Sequence, residues 1–96
     1  MLILLTYDVS TETSAGRTRL RKVAKKCVAY GQRVQNSVFE CNLDWSQFVL
    51  LQNELKKMID PNEDSLRFYN LGNTYKEKVT HIGVKPSIPL EDVLIL

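Results

Sequence analysis

Asp8 closes an apolar run, Ile3-Leu4-Leu5-Thr6-Tyr7-Asp8-Val9, and a dense group of cations follows it. Between Glu12 and Glu40 there is no Asp or Glu, yet the same window carries Arg17, Arg19, Arg21, Lys22, Lys25, Lys26 and Arg33, seven of the chain's 13 basic residues. A short carboxylate is a hard oxygen donor suited to Mg²⁺, with Mn²⁺ as the alternative. Guanidinium groups pair with phosphate oxygens in a planar, two-pronged geometry. Together they describe a metal-assisted act on a nucleic acid, with attraction set by phosphate charge and indifferent to base sequence. The net charge of only +2 conceals this, because its distribution and not its sum carries the signal.

Each residue also has a plainer reading. Asp8 before Val-Ser-Thr is a good turn former, and a single carboxylate is too few ligands for a catalytic Mg²⁺. Arg17 and Arg19 open the first helix close to the strand end that carries Asp8, and a solvated helix face is the ordinary fate of such residues. A stabilised solvent face, however, would interleave Glu for i,i+4 pairing, and none is present. Arg17, Arg19 and Arg33 are therefore the expected phosphate contacts, with Lys25 and Lys26 adding field. Tyr7 and Phe39 are expected to pack first and to touch chemistry second. His81, the one histidine, reads as a strand residue and not a general base. Cys27 and Cys41 read as small buried hydrophobes; without a C-x-x-C or further histidines, zinc has no ligand set.

The elements that must position these residues follow from periodicity. Leu2 to Val9 is a strand; alternation puts Leu2, Leu4, Thr6 and Asp8 on one face and Ile3, Leu5, Tyr7 and Val9 on the other. A helix starts near Ser14, and Leu20, Val23, Ala24, Cys27 and Val28 form its apolar stripe. Gly31 is its expected left-handed cap. Val34 to Asn42 reads as a second strand. Asp44 with Gln47 predicts a capping box for a second helix, striped by Phe48, Leu51, Leu55, Met58 and Ile59. Asp60-Pro61-Asn62 stops it. Ser65 to Leu71 and Val79 to Gly83 complete the strands. The literal order is β-α-β-α-β-β, or βαββαβ with one reversal in the middle. Either describes an α+β, ferredoxin-like domain over residues 1–84, an antiparallel sheet with two helices on one face. Residues 85–96 form an arm stiffened by Pro86 and Pro89; its apolar end, Val93 to Leu96, reads as an extra C-terminal strand for its own sheet, a second subunit or a partner. The apolar start is too short for a membrane span or signal core, so the cytoplasm is the expected location.

The apolar first strand ending in Tyr7-Asp8, the Arg17-x-Arg19-x-Arg21 series, and Gln35-Asn36-Ser37-Val38-Phe39-Glu40 together resemble the CRISPR-associated protein 2 family over nearly the whole chain. Asn70-Leu71-Gly72-Asn73 and Lys85-Pro86-Ser87-Ile88 resemble the branch associated with type I-C systems. The resemblance implies a homodimer with the two first-strand acids facing across a two-fold axis, so that symmetry doubles the single carboxylate. It also implies a metal-dependent endonuclease activity on RNA or DNA, and partnership with the CRISPR integrase, CRISPR-associated protein 1, in capturing new spacers. The alternative within the family is a non-catalytic dimeric DNA-binding scaffold for that integrase. A small-molecule-sensing domain would need a glycine-rich ligand turn that four scattered glycines do not make. An RNA-recognition motif would need glycines around its stacking aromatics, which Arg67-Phe68-Tyr69 lacks.

Overall fold

The structure, a computed structural model, describes residues 1–84; the expected C-terminal arm and its extra strand lie outside the described residues. In chain order the elements are β1 (Leu2–Asp8), α1 (Ser14–Tyr30), β2 (Gln32–Gln35), β3 (Val38–Asn42), α2 (Trp45–Met58) and β4 (Ser65–Gly72), followed by a 3-10 turn at Tyr75–Glu77. The sheet order is β2-β3-β1-β4, with every neighbouring pair antiparallel. This is the βαββαβ arrangement with the first strand at the centre of the sheet.

Period-two burial holds along β1 from Ile3 onward; Leu2, expected on the face of Leu4 and Asp8, is buried, and the pairing with β4 shifts register between Leu2 and Ile3. Ile3, Leu5, Tyr7 and Val9 enter the core, while Leu4 and Thr6 are half-buried and Asp8 is exposed on the opposite face. The core closes over that inner face with Val23 and Cys27 of α1, Phe39 and Cys41 of β3, and Phe48, Leu51 and Leu55 of α2. Each fully buried leucine contributes about 1.5–3 kcal/mol. Both helices therefore cover one face of the sheet. The α2 capping box is present in both directions: Gln47 N–H donates to Asp44 Oδ1 at 2.7 Å, and Asp44 N–H to Gln47 Oε1 at 3.0 Å. At α1 the cap is Thr13, whose hydroxyl accepts from Gly16 N–H at 3.0 Å.

Four sequence expectations are corrected. Val34–Asn42 is not one strand: Gln35 pairs with Val38, so Asn36-Ser37 makes a tight reversal and the segment is a hairpin. Asn and Ser favour turns through side-chain bonds to their own backbone, which outweighs the β-formers around them. Val79–Gly83 forms no strand pairing among the described residues, and Ile82 is 90% exposed. Edge strand β2 is only four residues long and its register slips between Arg33 and Gln35, so it offers a poor template. Val28 is exposed, because it lies about 100° around the helix from Cys27. Gly31 is extended (φ −165°, ψ −159°) and not left-handed. A Cβ there would strike the Glu40 carbonyl and come within 2.6 Å of Cys41 Sγ, so close packing of α1 on β3 is what demands glycine.

Candidate nucleic-acid interface and its carboxylate

The central strand delivers two adjacent residues to opposite sides. Tyr7 turns inward, stacks on Phe39 at 6.1 Å, and donates its O–H to the Asn36 carbonyl at 3.3 Å. Burial, and secondarily Cys27, holds its phenol above the usual range, while Arg33 and Ser37 pull the other way. It is a neutral donor at neutral pH, consistent with packing first. Asp8 turns outward at the end of β1, and its side chain makes no hydrogen bond or ion pair among the described residues. Its cross-strand partner is Ser65; Thr6, on the same face, lies between Val38 of β3 and Arg67 of β4. Arg67 is thus a diagonal neighbour of Asp8 on the open face, a position within reach of long side chains. Its guanidinium donates to Tyr69 Oη at 3.2 Å, and that bond raises its pKa further.

The three arginines singled out from sequence have three different surroundings. Arg17 is exposed, and its Nη1 donates to the Thr11 carbonyl at 3.0 Å, three residues beyond Asp8. Arg19 turns inward to Asp64, with Nε to Oδ2 at 2.7 Å and Nη2 to Oδ1 at 3.4 Å. The sequence led us to expect a phosphate contact here; the structure pairs Arg19 with Asp64 and leaves its side chain 20% exposed. Arg33 lies over the Phe39 ring at 5.2 Å, on the helix side of the sheet, opposite Asp8. The structure therefore brings Arg17 near the strand end but does not gather all three around the carboxylate.

The exposed cations of α1 instead form a row at four-residue spacing, Arg17, Arg21 and Lys25, flanked by Lys22. Among the described residues none of the four has a carboxylate partner, and the ion pairs are Arg19–Asp64 and Lys26–Glu54. Such a row can follow a sugar-phosphate backbone. Lys26, expected to add field, is partly neutralised by Glu54 at 3.2 Å.

Sequence reasoning missed Asp64 and Arg67. Arg67 was discoverable as a polar position in an alternating strand. Asp64 gave no local signal, because its partner lies 45 residues away. Its carboxyl is held below the usual range, chiefly by the Arg19 guanidinium and then by the Asp60 and Ser10 N–H groups, against the opposing effect of burial. Both thiols are buried and pushed up to about 12 by desolvation, which agrees with their reading as inert hydrophobes. His81 is exposed outside any strand. The described residues contain no cluster of three or more His, Cys, Asp or Glu able to hold a metal. Among the described residues Asp8 stands as a single exposed carboxylate at the end of β1. No described helix is long and apolar enough to cross a membrane.

Comparison with known proteins fits this geometry. Residues 1–79 match the family model described as CRISPR associated protein Cas2. The CRISPR-associated endonuclease Cas2 of Halalkalibacterium halodurans is 63% identical over 95 residues, covering 99% of each chain. The CRISPR-associated endoribonuclease Cas2 of Chlorobaculum tepidum is 57% identical over 96 residues, covering 100% of each. Among solved structures, Streptococcus pyogenes Cas2 at pH 6.5 is 55% identical with a TM-score of 0.76, over 86% of this chain and 100% of that one. A hypothetical protein from Thermus thermophilus is 34% identical with a TM-score of 0.73, over 90% and 94% of the two chains.

Proposed function

The chain belongs to the CRISPR-associated protein Cas2 family, and we propose that it is a homodimeric, metal-dependent endonuclease of CRISPR adaptation that cleaves phosphodiester bonds in RNA or DNA. The observation that carries the reading is Asp8: an exposed carboxylate with no side-chain partner among the described residues, at the end of the central strand on the face of the sheet away from the helices. That face also bears half-buried Leu4 and Val38 and the 42%-exposed Tyr69, a partly apolar surface suited to a second copy of itself. A two-fold pairing of this face sets two Asp8 side chains together. Two close carboxylates repel unless a cation or proton lies between them. The two Asp8 carboxylates would hold Mg²⁺ (or Mn²⁺), and the chemistry supplied there would be polarisation of a phosphodiester and a lowered pKa of a water. The side chains do the rest. Arg67, beside Asp8, faces the phosphate being cut, and Arg17, Arg21 and Lys25 hold the flanking backbone. Tyr7 and Phe39 keep the strand end rigid from beneath.

The α1 row favours a second reading, since gripping DNA needs neither Asp8 nor a metal: the dimer serves as a DNA-binding scaffold for the CRISPR integrase. The two separate in one experiment. Purified protein is incubated with RNA, single-stranded and double-stranded DNA, with Mg²⁺, Mn²⁺ or chelator, beside Asp8→Asn. Cleavage that needs metal and Asp8 supports the nuclease. Equal cleavage by Asp8→Asn ends it. Undiminished DNA binding by Asp8→Asn, with no cleavage by the parent, supports the scaffold.

A further inference from the structure

We propose that Asp64 is a positioning residue for Asp8, clamping from two directions the backbone that presents it; this rests on the nuclease reading above. The Asp64 side chain is 0% exposed and accepts four N–H bonds from three separate stretches of chain. Ser10 N–H donates to Oδ1 at 3.0 Å, Asp60 N–H to Oδ2 at 2.9 Å, and Arg19 contributes Nε and Nη2. Ser10 is two residues past Asp8, and Val9 between them is anchored in the core. The Ser10 carbonyl is closely packed as well: Gly16 of α1 lies so near that a Cβ there would collide with it. The Ser10 N–H is therefore held by Asp64 and its carbonyl is closely packed against α1, which orients the chain leaving Asp8. The second direction runs through β4. Asp64 directly precedes Ser65, and Ser65 is the cross-strand partner of Asp8. Among the described residues Asp8 has no side-chain bond, and this backbone is what sets its position there.

Reactive groups held about 1 Å out of place lose about 10²-fold in rate, so a positioning role has its own signature. In the full-length protein, Asp64→Asn keeps the shape but sets an amide N–H against backbone donors and drops the charge facing Arg19. Amide hydrogen exchange at Ser10, referenced to the core amide of Leu5, is expected to rise about tenfold or more. In the Mg²⁺-dependent assay, kcat is expected to fall about tenfold or more, with KM for RNA within about twofold of the parent. Arg19→Lys, which keeps the charge but loses the fork, should lie between, and serves if Asp64→Asn does not fold. Unchanged Ser10 exchange overturns the clamp. Faster exchange with parental kcat overturns its role in cleavage, as does a raised KM with kcat kept, which would make the Arg19 pair a binding element. If the parent itself does not cleave, the nuclease reading falls and the clamp is decided by the Ser10 amide alone.

Discussion

Gly16→Ala sets two opposing effects against each other, and the structure decides the sign. Replacing glycine by alanine inside a helix ordinarily gains about 1 kcal/mol from propensity and reduced unfolded-state entropy. Gly16, however, is the third residue of α1, where its N–H already donates to the Thr13 cap, so the gain there is smaller. Against it stands a collision with the Ser10 carbonyl, with Ser10 C at 3.0 Å and Thr13 Oγ1 at 3.3 Å from the new Cβ. A backbone carbonyl cannot rotate aside as a side-chain tip can. Relief requires α1 or the Ser10 segment to shift, and the Asp64 bond resists the latter. Overpacking of this kind costs about 1–3 kcal/mol; at the upper end, a net loss of about 2 kcal/mol remains. For a domain of this size, that is a fall in Tm of about 8–16 °C. Thermal melts followed by circular dichroism at fixed protein concentration measure it. An unchanged or higher Tm would refute the close approach of α1 to Ser10, and with it one arm of the clamp on Asp8.

Other outcomes follow from the same structure. Because the folded-state pKa of Asp64 lies below its unfolded value of about 3.9, its stabilising effect is fully present above that pH and is lost as pH falls through the lower folded value. The Tm gap between the parent and Asp64→Asn should therefore be widest above about pH 4 and close in stronger acid; a gap independent of pH would refute the ion pair. With thiol pKa values pushed up to about 12, Cys27 and Cys41 should resist a thiol-reactive disulfide reagent at pH 8 until the protein is denatured; rapid native-state reaction of either would contradict their burial. Arg21→Gln with Lys25→Gln should weaken binding to duplex DNA of any sequence. If each cation meets one phosphate, the slope of log affinity against log salt shallows by roughly 0.9 per residue, and an unchanged slope would move the nucleic acid off α1.

Much of this site was legible because short-range periodicity governs it. Strict alternation along β1 is enough to send Tyr7 inward and Asp8 outward, and the Asp44–Gln47 spacing is enough to specify a capping box. What sequence did not disclose depends on distance or on a missing neighbour. Arg19 is indistinguishable from Arg17 and Arg21 in the chain until the α2–β4 loop brings Asp64 against it. Val79–Gly83 carries β-forming residues, yet a strand exists only where another strand bonds to it. Asn36-Ser37 interrupts a β-forming run with only two residues, so the hairpin emerges from pairing and not from composition. Gly31 looked like a helix cap because glycine commonly is one; its actual constraint is the approach of Glu40 and Cys41 from β3.

The central claim is that one phosphodiester-cleaving centre is built from two copies of Asp8, and subunit mixing tests it most directly. Parent and Asp8→Asn subunits are exchanged to equilibrium in equal amounts, and Mg²⁺-dependent cleavage is compared with the same total of parent alone. If both carboxylates are required, only parent–parent dimers cut, and about a quarter of the activity remains. Retention of about half would mean that each Asp8 acts alone, and would contradict the shared centre.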